Sequence, residues 1–157
     1  MTILLALDPG NTESAWLLYD TATGRPTQWD KEPNADLLLT MNDDAEVANA
    51  DELVIEMVAS YGMAVGAEIF DTCVWIGRFI ERWHGPYRLI YRPDIKLHLT
   101  QTRRAKDANI RQALIDRYGP GKALAIGLKA TPGPLYGLSG DCWSALAVAV
   151  TAADAAA

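Results

Sequence analysis

Three carboxylates in this 157-residue chain stand at the ends of apolar elements. Asp8 follows the apolar run 3–7 and is succeeded by a Pro-Gly turn. Glu56 closes the short apolar run 53–55, and Asp141 opens an apolar segment near the end of the chain. Acids at such places are held rigidly, so their positions favour a site rather than surface decoration.

The chemistry that such acids support is the binding of divalent cations. Three carboxylates from distant parts of one chain converge only where something offsets their repulsion. Mg²⁺ and Mn²⁺ do so, and they prefer oxygen ligands with open water positions. Two such ions about 4 Å apart can activate a water and stabilise the leaving oxygen in phosphodiester hydrolysis. Asp8, Glu56 and Asp141 are therefore predicted metal ligands of a hydrolytic site.

Each acid also has a simpler explanation. A strand-terminal Asp followed by a turn is an ordinary way to leave a strand, which applies to Asp8. Glu56 could cap the turn that follows it, and Asp141 could be a first-turn acid favoured by the helix dipole. The hypothesis of a site therefore depends on the joint pattern.

The elements that must position these acids begin with a β-meander. Thr23-Gly24 marks a turn between the second and third strands, and residues 34–41 fit either a short helix or a strand. The acidic segment 42–52 predicts a loop. Four strands are predicted in the first part of the chain, over residues 2–7, 14–19, around 27–29 and over 53–55.

Helical spacing dominates the second part of the chain. Residues 62–83 share a broad apolar face, and His84-Gly85-Pro86 stops that helix. A strand over 88–91 follows, and residues 100–105 and 127–140 are predicted loops. The remaining predicted helices begin at Asp94, at Lys106 and at Ser139 as an N-cap. The element order predicts one α/β domain over residues 1–157, with a mixed central sheet that contains a three-stranded antiparallel meander and is flanked by helices.

Composition narrows the class of protein. Hydrophobic residues make up 50% of the chain, which argues against a protein that is disordered overall. No apolar run reaches membrane-spanning length, and no basic region precedes an apolar stretch at the start, so a soluble cytoplasmic protein without a membrane partner is expected. Cys73 and Cys142 lie in apolar, helix-like segments and indicate neither a disulfide nor, with only two His, a zinc site.

The charge distribution points to nucleic acid despite a net charge of −6. Residues 1–77 hold two Lys/Arg and fourteen Asp/Glu, whereas residues 78–157 hold twelve and six. Arg103, Arg104 and Lys106 cluster in a loop and at a helix start, where both features suit phosphate oxygens. Lys106 could also stabilise charge at a reacting phosphate. The simpler explanation is a solvated surface of uneven charge.

Several segments resemble one known family. Residues 5–10 (Leu-Ala-Leu-Asp-Pro-Gly) resemble the opening strand of the RuvC family of Holliday-junction resolvases. Residues 54–56, followed by 60–63, look like the second acid of the family and its long dimer-forming helix. Residues 106–110 are similar to its basic helix start, and 141–147 to its last helix. The ordered set covers most of the chain, and phage-encoded members are the nearest likeness.

This resemblance implies an RNase H-like fold and a metal-dependent, structure-selective endonuclease. Such an enzyme cleaves Holliday junctions and other branched DNA by attack of a metal-activated water on phosphorus. A homodimer is implied as well, because its two-fold symmetry suits paired cuts in a four-way junction. A phage-encoded enzyme would act in the host-cell cytoplasm. Lys106 would support the phosphate, and Tyr61, close to Glu56, could pack or touch DNA.

The chain departs from the family at the last helix. The family usually carries two acids three residues apart there, and Ser144 stands where the second is expected after Asp141. A hydroxyl is a poor ligand beside a carboxylate. The missing carboxylate leaves three possibilities for the metal site: three acids suffice, Ser144 acts through a water, or another acid such as Asp107 contributes. The departure predicts weaker metal affinity or a changed metal preference.

Two other functions also fit these residues, and a third is excluded by the length of the chain. Another RNase H-like nuclease, acting on RNA–DNA hybrids or replication branches, fits the same residues. A non-catalytic branched-DNA-binding module is kept open by Ser144. An actin-like phosphotransferase also opens with a strand, an Asp and a Gly, but 157 residues leave no room for its second lobe and second phosphate loop.

Overall fold

A five-stranded mixed sheet organises the computed structural model, which describes residues 2–157. Its strand order is β3-β2-β1-β4-β5, with antiparallel pairing within the β1–β3 meander and parallel pairing of β1 with β4 and of β4 with β5. Met1, which the predicted domain includes, lies outside the described residues. The strands are β1 (Ile3–Asp8), β2 (Glu13–Asp20), β3 (Arg25–Pro33), β4 (Glu52–Met57) and β5 (Tyr87–Tyr91), with a small separate hairpin of β6 (Gly127–Leu128) and β7 (Thr131–Pro132).

Helices cover both faces of the sheet, which confirms the predicted α/β architecture with its meander. Helices α4, α5 and α7 lie on one face, and α1 and α3 lie on the other. Within residues 2–157, none combines the length and apolar character needed to cross a membrane. The helices are α1 (Asn34–Asp43), α2 (Ala45–Ala48), α3 (Ala67–Arg82), α4 (Arg92–Thr100), α5 (Asp107–Tyr118), α6 (Gly121–Ala125) and α7 (Cys142–Ala156).

The central strands β1 and β4 are buried on both faces, which explains their continuous apolar runs. Alternate side chains enter different cores. Leu4 and Ala6 pack towards α7, whereas Leu5 and Leu7 pack towards α1 and α3. Because Asp8 continues the first set, its carboxylate belongs to the α7 face at the end of the strand.

Helix α7 is the main packing partner of this face. Small apolar residues fill it, and Ala145, Ala147 and Ala149 have no exposed surface. Small side chains allow the helix axis to approach the sheet closely, and the start of α7 is held near the end of β1 and the start of β2, where Lys31 contacts Asp141. The start of α7 is where Asp141 lies.

Two helices begin at places that differ from the prediction. The segment 62–83 becomes helical only at Ala67, because the left-handed conformation of Tyr61 (φ 50°) and its neighbour opens a loop. Helix α4 begins earlier than predicted, at Arg92, because Pro93 fits the first helical turn, where its missing N–H has no intrahelical partner to lose.

The last helix begins at Cys142, so Ser139 is not its N-cap. Gly140 adopts a left-handed conformation (φ 53°), which separates Ser139 from the helix. Asp141 is the N-cap residue instead, and its side chain makes no capping hydrogen bond. Its carboxylate therefore remains available to other groups.

The segments whose predicted structure was ambiguous or a loop contain helices and strands. Residues 34–41 lie in helix α1, and the predicted loop 42–52 contains the short helix α2. Asp44 caps α2 by accepting hydrogen bonds from the N–H groups of Glu46 and Val47. The predicted loop 127–140 contains the β6–β7 hairpin.

The predicted broad apolar face of α3 is split in the structure. Thr72, Ile76 and Phe79 point into the core, as a spacing of three to four residues requires. Phe70 and Val74 point to solvent instead. The helix thus has a buried face and a second, exposed apolar face.

Candidate active site

One row across the sheet brings the site residues together. Asp8 on β1 pairs with Ala15 on β2, and Ala15 pairs with Lys31 on β3. The parallel register of β1 and β4 places Glu56 beside Asp8 on the other side. Residues opposite one another point to the same face of a sheet, so Lys31, Asp8 and Glu56 share the face covered by α7. We call Asp8 and Glu56, with Lys31 at the end on β3, the acidic row.

A buried hydrogen-bond network fixes the turn that follows Asp8. The Gly10 N–H donates to Ser14 Oγ (3.1 Å), the Ser14 hydroxyl donates to Asn34 Oδ1 (2.6 Å), and Asn34 Nδ2 donates to the Gly10 carbonyl (2.9 Å). A Cβ atom on Gly10 would lie 2.4 Å from the Glu13 carbonyl oxygen, so this position requires glycine. The network joins β1, β2 and α1 and holds the end of β1 in place.

Among the carboxyl groups of the site, that of Asp8 has the most strongly shifted pKa. Burial, followed by the charges of Glu56 and Asp141, raises its pKa from 3.8 to about 7, against the smaller opposing influence of Arg92 and Lys31. Among residues 2–157, no hydrogen-bond donor contacts its carboxylate. Asp8 is therefore an acid in a negative environment without a cation of its own.

Glu56 is tied to the start of two helices through an arginine. Its side chain is 12% exposed, and Arg92 Nη1 donates to Glu56 Oε1 at 3.0 Å. The same guanidinium also contacts the Asp107 carboxylate at the start of α5. Burial raises the pKa of Glu56, and Arg92 opposes that rise. Glu56, Arg92 and Asp107 thus form a bridge from β4 to α5.

Asp141 is paired with a lysine from the sheet. Lys31 Nζ lies 2.7 Å from Asp141 Oδ2, and this contact raises the pKa of Lys31. Both side chains keep substantial exposure, 43% and 53%. Asp141 therefore does not serve the helix as a capping side chain, and its negative charge is matched by an ammonium group.

A cavity of about 360 Å³ adjoins Asp141. Ser144, one turn into α7, lines it together with Asp107, which is the acid proposed from the sequence as a substitute for the missing carboxylate. The Arg111 guanidinium covers the Trp143 ring on the same wall, 4.3 Å from the ring centroid. Asp107 is thus near Ser144, but Arg92 already neutralises it.

The predicted DNA-contacting cations lie between α4 and α5, just before the Asp107 that lines this cavity. Arg103 and Arg104 are exposed in the segment that joins α4 to α5, and Arg103 reaches Asp94 at 3.7 Å. Lys106 is the exposed N-cap residue of α5, and its backbone N–H donates to Asn109 Oδ1 at 2.9 Å. Lys106 directly precedes Asp107, and Asp107 contacts Arg92, the partner of Glu56.

Tyr61 lies in the loop between β4 and α3. Its side chain is 60% exposed. Desolvation, and then the charges of Asp94 and Glu56 among its neighbours, raise the pKa of its phenol. The residue therefore stands at the rim of the acidic row, on the side of β5, with its ring turned to solvent.

The acids do not form a ready-made metal cage. Within the part of the chain that the structure describes, no three His, Cys, Asp or Glu side chains form a group able to hold an ion. Mg²⁺ commonly binds through one or two protein carboxylates, with water and substrate phosphate as its other ligands. Asp8 and Glu56, adjacent oxygen donors with raised pKa values, fit that mode of binding.

Lys31 and Arg92 are site residues that sequence reasoning missed. Arg92 directly follows β5, the neighbour of the strand that bears Glu56, so its place at the strand ends was a usable signal. Lys31 is harder to place from sequence. A bulge shifts the β2–β3 register at Leu18 and Tyr19, so counting back from the turn gives the wrong partner.

Comparison with known proteins supports the fold. One structure of Thermus thermophilus RuvC matches with a TM-score of 0.66 and 15% sequence identity, over 98% of this chain and 95% of that one. The structure of T. thermophilus RuvC in complex with Holliday junction substrate matches with a TM-score of 0.68 and 15% identity, over 99% and 95%. No protein-family model matches the chain, and no curated protein matches it in sequence. The chain therefore adopts the RNase H-like fold of these RuvC structures.

Proposed function

We propose that this protein is a metal-dependent endonuclease that cleaves branched DNA, with four-way junctions as its main substrate. The proposal is carried by the nearness of two other acids to Asp8: Glu56 lies beside it across β1 and β4, and the charges of Glu56 and Asp141 both act on it. The exposed cations Arg103, Arg104 and Lys106, which precede Asp107 at the start of α5, support it. The fold likeness to RuvC, one of whose structures contains a Holliday junction, favours branched DNA over linear duplex.

Asp8, Glu56 and Asp141 are assigned to hold Mg²⁺ or Mn²⁺. Such an ion supplies activation of a water for attack on phosphorus and stabilisation of the leaving oxygen. Asp8 offers the carboxylate without a competing cation, and Glu56 lies beside it. Arg92 orients Glu56 through the 3.0 Å hydrogen bond and connects it to α5.

Lys106 is assigned to the phosphate at which the reaction occurs. It is exposed at the N-terminus of a twelve-residue helix, where unpaired N–H groups and an ammonium attract phosphate oxygens. Arg103 and Arg104 extend the positive surface along the DNA backbone, and Tyr61 offers an exposed ring near Asp94, the residue that Arg103 reaches. Backbone contacts of this kind fix orientation and carry little sequence information.

A homodimer through α3 completes the proposal. The outer face of that helix exposes Phe70 and Val74 at 62% each, and Met63 before the helix is 74% exposed. Apolar side chains grouped on one surface mark an interaction site. Two active sites related by a two-fold axis would suit paired cuts. A single nuclease domain over residues 1–157, a phage origin and a cytoplasmic location stay predictions from the resemblance.

Cleavage of a synthetic four-way junction tests the proposal directly. The wild-type protein is expected to cut the junction with Mg²⁺ or Mn²⁺ and to leave a linear duplex of the same sequence largely intact. Asp8→Asn should abolish cleavage and retain junction binding, because it removes a ligand without changing the shape of the site. Asp36→Asn, at an exposed position of α1, is the matched control. Cleavage by Asp8→Asn at the wild-type rate would rule out this site.

A non-catalytic junction-binding module is the second candidate. It is favoured by the pairing of two of the three acids with Lys31 and Arg92 and by the hydroxyl at Ser144. That candidate requires tight junction binding by the wild-type protein with no cleavage under either metal. Cleavage of an RNA–DNA hybrid in preference to the junction would instead indicate another nuclease of the same fold.

A further inference from the structure

We propose that the Lys31 ammonium replaces a second divalent cation, so that the site binds one metal ion per chain. The inference rests on the proposed function, because it concerns the metal content of the same site. Its basis is the position of Lys31 in the row of acids and the balance of charge around it.

The sheet register delivers Lys31 to the acidic row. Only Ala15 on β2 separates Lys31 from Asp8. Strands β1 and β3 are therefore about 10 Å apart, a distance that an extended lysine side chain can span. Ala15 has no exposed surface and carries only a methyl group, so it leaves the path across β2 open. The Lys31 ammonium ends 2.7 Å from Asp141.

The ammonium that contacts Asp141 also lies within electrostatic range of Asp8. Asp8 and Asp141 each contribute to the electrostatic environment of Lys31, and Lys31 in turn acts on Asp8. A divalent cation shared by Asp8 and Asp141 would have to lie in this region. Lys31 would repel such an ion and would compete with it for Asp141 oxygen atoms.

Charge balance points to the same number of ions. The row and its flank contain four carboxylates, of Asp8, Glu56, Asp107 and Asp141, and the two cationic side chains in contact with them are those of Lys31 and Arg92. Glu13 acts on Lys31 and Lys96 acts on Glu56, and these two further charges cancel. Once Asp8 is ionised, the remaining charge of minus two is what one divalent cation neutralises. Ser144, on the cavity wall next to Asp141, adds no charge that would attract a second ion.

The geometry also says where the single ion would bind. Glu56 shares its arginine with Asp107, and Asp8 has no cation of its own within residues 2–157. Asp8 and Glu56 are next to each other across the parallel pair β1 and β4. Of the three acids assigned above, Asp8 and Glu56 would therefore hold the single ion, whereas Asp141 stays paired with Lys31.

The test counts bound Mn²⁺ on the intact protein without DNA, by equilibrium dialysis combined with electron paramagnetic resonance of free Mn²⁺. The wild-type protein is expected to bind one ion per chain. Lys31→Met keeps the length of the side chain and removes its charge, so it should add a second ion, with affinity at that position raised about tenfold. Lys31→Arg keeps the charge and should bind one ion.

Lys129→Met, in the exposed turn of the β6–β7 hairpin, is the matched control and should also bind one ion. Circular dichroism checks that each variant folds, and Lys31→Gln provides a second neutral variant. Two ions on the wild-type protein would overturn the inference and leave the proposed function intact. Unchanged stoichiometry and affinity in both neutral variants would also overturn it, and weaker junction binding in them would then assign Lys31 to DNA phosphate. A wild-type protein that binds no Mn²⁺ would overturn both proposals.

Discussion

At the scale of single residues, Asp8 differs from the two other acids of the site in having no partner of opposite charge. Glu56 is hydrogen-bonded to Arg92 and Asp141 to Lys31, whereas Asp8 meets mainly burial and other negative charges. An ionised carboxylate in such surroundings lowers the stability of the metal-free fold. Sites that bind cations commonly contain groups held at this kind of energetic cost.

The first prediction concerns the pH dependence of this cost. Because the folded state raises the pKa of Asp8 from 3.8 to about 7, the folded protein holds its proton more tightly than the unfolded chain does. Stability of the metal-free protein should therefore fall as the pH rises from about 4 to about 7. Asp8→Asn should remove this fall and stabilise the protein by about 1 to 3 kcal/mol at pH 8, with little change at pH 4. Urea unfolding with a chelator present measures both values.

Asp154 provides a control of opposite sign. Its partial burial acts to raise its pKa, but hydrogen bonds from Arg117 and His98 outweigh burial and hold the pKa below its usual range. Asp154→Asn should therefore destabilise the protein at pH 7, by about 1 kcal/mol, and the loss should disappear in acid as the wild-type carboxylate protonates. Equal effects of both substitutions at pH 8 would show that Asp8 is not under unfavourable charge.

At the scale of elements, the end of β1 depends on contacts with β2 and α1. Ser14 and Asn34 are each 1% exposed and close the network around Gly10. Buried polar groups that lose their partner cost free energy, because they give up water without compensation. The turn after Asp8 is therefore held in place by contacts with β2 and α1 rather than by β1 itself.

Asn34→Ala should reduce the free energy of unfolding by about 1 to 3 kcal/mol. It removes the partner of the Ser14 hydroxyl and of the Gly10 carbonyl at once. Asn42→Ala, at an exposed position of α1 whose side chain contacts only Asp43, should change stability by less than about 0.5 kcal/mol. Equal, small changes in the two variants, measured by urea unfolding, would show that the network does not stabilise the turn.

The elements also show what the sequence could and could not predict. The strands with Asp8 and Glu56 were predictable because their apolar runs and turn residues are local signals. The start of α3 and the start of α7 were misplaced, since each depends on left-handed residues that no local pattern requires. The pairing of Lys31 with Asp141 joins β3 to the last helix across more than half of the chain, so only the folded register reveals it.

The outer face of α3 leads to a prediction about assembly. Phe70→Glu should convert the proposed dimer into a monomer and keep the fold, because the side chain is 62% exposed and its loss leaves no core cavity. Sedimentation equilibrium measures the mass. Leu128→Glu, at a 73% exposed position of the β6–β7 hairpin, should leave the mass unchanged. A wild-type protein that sediments as a monomer would contradict the assignment of α3 as an interface.

At the scale of the whole molecule, charge is divided between the two parts of the chain. The net charge is −6, yet the second part of the sequence is basic and exposes Arg103, Arg104 and Lys106 between α4 and α5. Long-range attraction of DNA to a protein of negative net charge must come from a local positive surface. The segment between α4 and α5 supplies that surface.

Double substitution of Arg103 and Arg104 by Gln should therefore weaken junction binding strongly at low salt. The affinity falls with salt, and each lost phosphate contact makes the fall of log affinity with log salt less steep by about one. Loss of both contacts should therefore reduce the steepness by about two. Mn²⁺ binding should stay at its wild-type level, because neither side chain contacts the acids of the row and Arg103 reaches only Asp94. A control that removes the same total charge elsewhere, with Arg25 and Lys129 replaced by Gln, should leave the slope unchanged. If both double variants lose equal affinity, net charge rather than this segment governs DNA binding.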